Sequence, residues 1–78
     1  MSVKELVAAE KHGHLRRVVR RPEVRHLTGL SNSALDRLIR ANQFPKPFKL
    51  IPDEKSRAVG WSLHAVLDWI ESREQEAA

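Results

Sequence analysis

Apolar positions in this chain follow two rhythms, and the change of rhythm marks out its elements. Val3, Leu6 and Val7 are spaced for a helical turn or two before Gly13 interrupts. Residues 1–17 therefore read as a flexible basic arm or a frayed helix. Val18 and Val19 form a short extended lead-in. Pro22 suits the first turn of a helix, where its missing N–H costs nothing, and Val24 and Leu27 share one face of it. Gly29 stops that helix by taking a left-handed conformation; Leu30 turns inward, and Ser31 is placed to cap the next helix. The second helix is predicted from about Asn32 to Ala41. It buries Leu35, Leu38 and Ile39, with Ser33, Asp36, Arg37 and Arg40 on the opposite face. Asn42 is fitted for a left-handed helix end, and Pro45 and Pro47 then force an extended path.

Period two takes over next. Phe48 and Leu50, then Val59 and Trp61, alternate as half-buried strands do, around a polar turn-forming stretch from Pro52 to Ser56. A β-hairpin is expected from about Phe48 to Trp61. Ser62 caps a third helix whose Leu63, Val66, Leu67 and Ile70 fall at i, i+3, i+4 and i+7. Trp69 widens that stripe. The helix is expected to end near Arg73, with residues 76–78 frayed. Phe44, Phe48, Trp61 and Trp69 are all assigned to the core. The fold class that follows is mainly α, a small winged helix-turn-helix over residues 18–75, in the order short helix, turn, helix, hairpin, helix.

Length and composition narrow the function classes. With 78 residues the chain makes one small domain, too small for a cleft between two lobes. It has no cysteine, so neither disulfides nor thiolate metal sites arise. No apolar run is long enough to span a bilayer and no secretory signal is seen, which points to the cytoplasm and away from membranes. No cofactor is implied. The net charge is +4, unevenly placed. Residues 1–21 carry six Lys/Arg against two acids, residues 22–61 seven against four, and residues 62–78 one against four. A basic front with an acidic tail fits a polyanion surface from which the C-terminus is excluded.

Two helices joined through Thr28-Gly29-Leu30-Ser31 make a helix-turn-helix, whose second helix is sized for the major groove of double-stranded DNA. Its candidate DNA-reading residues are Ser31, Asn32, Ser33, Asp36, Arg37 and Arg40. Arg37 and Ser33 lead, Asn32 is able to pair with adenine, and Asp36 with a cytosine amino group. Asp36 paired to Arg40 at i, i+4 is the alternative in which that face is merely solvated. Arg20, Arg21, Lys46, Lys49, Lys55 and Arg57 are candidates for the sugar–phosphate backbone. Arg57 has a competing role as the ion-pair partner of Asp53 or Glu54.

The stretch from about Val19 to Arg73 resembles the AlpA family of phage and prophage regulators, small winged-helix proteins related to MerR-type domains and excisionases. The likeness rests on Thr28-Gly29-Leu30-Ser31, Arg37-Leu38-Ile39, Phe44-Pro45-Lys46-Pro47, Arg57-Ala58-Val59-Gly60-Trp61 and the spacing of Val66 to Trp69. The chain departs from the family at Asn32, where a basic residue is common, and at Asp36, where an aromatic is. It departs also at Asn42, often Gly, and at His64 and Ala65, where an acidic residue is common. The resemblance implies sequence-specific binding of duplex DNA, as a transcriptional regulator working with RNA polymerase. The alternative is a recombination directionality factor acting beside a phage-type integrase. A third reading, from another class, is a protein-interaction adaptor using the 32–41 face and the acidic stretch 68–76. One recognition helix reads few base pairs, so a homodimer, a cooperative array on DNA or a partner protein is expected. Nothing points to an enzyme. Phosphate-cradling loops and nucleophile elbows are missing, and His12-Gly13-His14 lacks the further ligands a metal needs.

Overall fold

The computed structural model describes residues 17–77; the arm expected over 1–17 lies almost wholly outside the described residues, as does the His12/His14 pair. The elements run β1 (Val18–Val19), α1 (Arg21–Thr28), α2 (Asn32–Arg40), β2 (Phe48–Lys49), β3 (Val59–Ser62) and α3 (Leu63–Ala77). Three helices and a small antiparallel sheet of order β1-β3-β2 make a winged helix-turn-helix. Among these helices none is long and apolar enough to cross a membrane.

Local chemistry sets each helix boundary. Pro22 lies in the first turn of α1, and Gly29 closes that helix at φ 74°, its N–H donating to the Arg25 carbonyl at 2.8 Å. The Thr28 hydroxyl donates to the Val24 carbonyl at 2.8 Å and accepts from the Leu30 N–H at 3.2 Å, so one side chain fastens the helix end to the turn. The Ser31 hydroxyl caps α2 by accepting from the Ala34 N–H at 3.1 Å. At the far end of α2, Asn42 takes φ 58°. There the Gln43 N–H reaches the Leu38 carbonyl and the Asn42 N–H the Ile39 carbonyl, the paired bonds of a Schellman motif. Ser62 ends β3 and accepts from the Ala65 N–H at 3.3 Å, capping α3.

One core joins all three helices to β1 and β3. Val19, Val24, Leu35, Phe44, Trp61, Leu63, Val66 and Leu67 are buried, with Leu27, Leu30, Leu38, Ile39, Val59, Trp69 and Ile70 packed around them. The faces read from helical spacing are therefore the buried faces. Phe48 is the exception: it is 46% exposed, not core. Register explains this. Phe48 pairs with Gly60, the neighbour of the fully buried Trp61, so it faces away from the core.

Two further differences concern extent. Val18 and Val19 are a true strand, paired with Ser62 and Trp61 of β3. The pairing extends through the Leu63 N–H, which donates to the Arg17 carbonyl at 2.9 Å. Helix α3 continues to Ala77 rather than ending near Arg73, and Arg73 and Glu76 pair along that added turn. Gly60 sits where β1 crosses close to β3. A Cβ there would lie 2.5 Å from Val18 Cγ1, 3.2 Å from the Val19 carbonyl oxygen and 3.3 Å from Leu50 Cδ2.

Candidate nucleic-acid interface

The outward face of α2 is built by what its inward face buries. Leu35 is fully buried, and Leu38 and Ile39 pack beside it, which fixes the rotation of the helix about its axis. Asn32, Ser33, Asp36, Arg37 and Arg40 are consequently exposed together. Asn32 and Ser33 occupy the first turn, the part of such a helix that meets base edges. Arg37 lies one turn further on. Ser31 is committed elsewhere, since its hydroxyl is the cap of the helix.

Asp36 does not pair with Arg40. Its carboxylate accepts from Arg21 Nη2 at 3.0 Å, a bond between two helices that joins residues 15 apart in sequence. Local spacing favours i, i+4 pairs, but the tertiary fold brings the first residue of α1 within reach and that partner wins. The Arg21 guanidinium is itself seated over the Trp61 ring, 5.7 Å from its centroid, with Nη1 buried and without an acceptor. Arg21 thus joins α1, α2 and β3 at a single point, whereas Arg20, just before α1, is exposed and makes no side-chain cap bond.

The linker between α2 and β2 is clamped by the two indoles. Trp69 Nε1–H donates to the Gln43 carbonyl at 2.7 Å, and Trp61 Nε1–H to the Pro45 carbonyl at 2.9 Å. Phe44 between them is buried and meets Trp69 edge-on, with ring centroids 4.8 Å apart. Lys46 is exposed immediately after these anchors. Its backbone is held while its charge is displayed.

The wing carries Lys49, Lys55 and Arg57, all exposed. Asp53 organises its tip. The Asp53 carboxylate accepts from the Lys55 N–H, and its carbonyl accepts from Lys49 Nζ and from the Ser56 N–H, each at 3.0 Å. Arg57 makes no ion pair with Asp53 or Glu54 among the described residues, which leaves its charge displayed. Lys49 is partly engaged, since it already binds the loop.

Sequence spacing located the α2 face and the wing cations, but neither the Arg21–Asp36 bond nor the indole clamps. A Trp reads as core from its apolar context, and nothing in the pattern reports where its N–H points. A groove of about 800 Å³ opens between the end of α2 and α3, lined by Leu38, Asn42, Gln43, Phe44, Trp69, Ser72 and Arg73. Among the described residues no group of three or more His, Asp or Glu is placed to hold a metal ion.

The family model described as Prophage CP4-57 regulatory protein (AlpA) matches residues 17–74, well over half of the chain. No curated protein and no solved structure matches.

Proposed function

The chain belongs to the AlpA family of prophage regulatory proteins, and from that premise we propose that it is a transcriptional regulator binding specific sites on double-stranded DNA. The observation that carries this reading is the capped, core-anchored α2, which presents Asn32, Ser33, Arg37 and Arg40 outward as a group. Asn and Arg offer bidentate hydrogen bonds to adenine and guanine edges, and a helix of this kind fits the major groove. Lys46, at the end of the clamped linker, and Arg57 and Lys55, on the wing, supply cations for the phosphate backbone, where contacts position the protein without reading sequence. Arg20 adds another beside α1.

Selection from a randomised duplex pool at near-physiological salt tests the proposal. An enriched motif is the expected result, and its genomic position separates a promoter site from an attachment site used with an integrase. The spacing of enriched sites reads out single, paired or tandem binding. Arg37→Ala is expected to relax or abolish the base preference, at a cost of about 1–3 kcal/mol for the selected site. Lys46→Ala is expected to weaken all sequences alike and to reduce the salt slope by about one. Retention that shows no motif and vanishes on modest added salt refutes specific recognition and favours an adaptor role.

A further inference from the structure

At the edge of the α2 face, Arg21 is a cation held from two sides. Its guanidinium rests against the Trp61 ring with Nη1 buried, and Nη2 is taken by the Asp36 carboxylate. Trp61 is fully buried and tied to the Pro45 carbonyl, so the platform is itself anchored in the core. The carboxylate is half exposed, with 53% of the Asp36 side chain accessible, and it sits on the surface that carries Arg37 and Arg40. A phosphate approaching this surface meets a neutral pair at this point, not a free cation. If Arg21 turned to the phosphate, Asp36 would be left as a bare carboxylate facing the same backbone, an arrangement that like-charge repulsion opposes.

Resting on the reading of α2 as the DNA-facing helix, we propose that Asp36 is a specificity determinant that works by withholding Arg21 from the DNA backbone. Non-specific affinity comes from phosphates neutralised and counterions released. Locking one cation into an internal pair removes one such contact and lowers binding to random sequence. Contacts to base edges through Asn32, Ser33 and Arg37 are untouched. The ratio of specific to non-specific binding, which governs site occupancy in a genome, rises accordingly.

The test is a cycle of Asp36→Ala, Arg21→Met and the double variant. Binding of each to a random-sequence duplex and to the selected site is measured from about 50 to 200 mM salt. Ala suits a helix interior, and Met keeps an apolar stem over Trp61, so the fold is expected to persist; a thermal melt checks this. Asp36→Ala is expected to tighten random-duplex binding and to steepen its salt slope by about 0.9, so that its advantage over wild type shrinks about 3–4-fold across that salt range. Arg21→Met exposes the carboxylate and is expected to weaken both duplexes several-fold. The double variant is expected to return to the wild-type slope. An unchanged slope in a folded Asp36→Ala overturns the inference. A double variant shallower than wild type by about one also overturns it, because Arg21 would then already contact phosphate in the wild-type complex. Failure of the wild type to retain any duplex overturns the DNA-binding reading and this inference with it; the other two outcomes leave that reading standing.

Discussion

Gly60 offers a direct check on the sheet, because the space around it is so unequal. Replacing it with Ala removes the conformational entropy penalty of glycine in a strand, a gain of about 0.5–1 kcal/mol. Against this stands the new Cβ, 2.5 Å from Val18 Cγ1. Val18 is 49% exposed, so it has room to turn away, but a β-branched side chain forced off its rotamer costs about 0.5–1.5 kcal/mol. The Val19 carbonyl oxygen, at 3.2 Å, is less forgiving, since β1 is held by its pairing with Trp61. Overpacking of this kind costs about 1–3 kcal/mol. The net expectation for Gly60→Ala is a loss of about 1–2 kcal/mol. In a Val18→Ala background the closest clash is gone, and the same substitution is expected to fall within about 0.5 kcal/mol of neutral. Urea unfolding of the four proteins, with the m value checked for constancy, measures both numbers. An equal cost in the two backgrounds would refute the close crossing of β1 over β3 on which the estimate rests.

Three further outcomes are expected. Trp69→Ala should lose about 3 kcal/mol, the low end for a large aromatic because the side chain is only partly buried; a near-native melting temperature would contradict its clamp on Gln43. Ser31→Ala should cost about 1 kcal/mol in chemical denaturation, while Ser31→Gly should cost only a few tenths, the signature of a helix cap. Thr28→Val keeps the shape but deletes the hydroxyl that bridges Val24 and Leu30, so about 1 kcal/mol should go, with amide exchange faster at Leu30.

The sequence was most legible where a boundary depends on one residue's local chemistry. Gly29, Ser31 and Asn42 announce helix ends through backbone preference and short-range hydrogen bonds, and all three act as read. Helical spacing likewise located the buried faces of α1, α2 and α3. Phe48 was misjudged because a two-residue strand contains no alternation of its own; its facing is dictated by pairing with Gly60, which the sequence does not specify. Pairing of Val18 and Val19 with β3, more than 40 residues away, is invisible for the same reason. The end of α3 was set too early because its last residues, Glu74 to Ala77, carry no apolar periodicity to follow. At the interface, the exposed α2 face came from helical geometry; for Asp36, read as a base-reading candidate with an i, i+4 pair to Arg40 as the alternative, the fold supplies Arg21 as partner instead.

The sheet's outer strands, β1 and β2, are each two residues long. An edge so short gives a passing strand almost nothing to extend, a common defence against sheet-to-sheet association. The defence has work to do, because Val18, Phe48 and Ile51 are large apolar groups left exposed around this sheet. Arg17 and Arg20 flank β1, while Lys46 precedes β2 and Lys49 lies within it, the placement of charged gatekeepers around an aggregation-prone segment. Lys46 and Arg20, proposed to meet phosphate, are thus expected to have a second role in keeping the molecules apart from one another. Neutralising Lys46 is therefore expected to lower solubility as well as affinity, and a charge-preserving change such as Lys46→Arg to spare both.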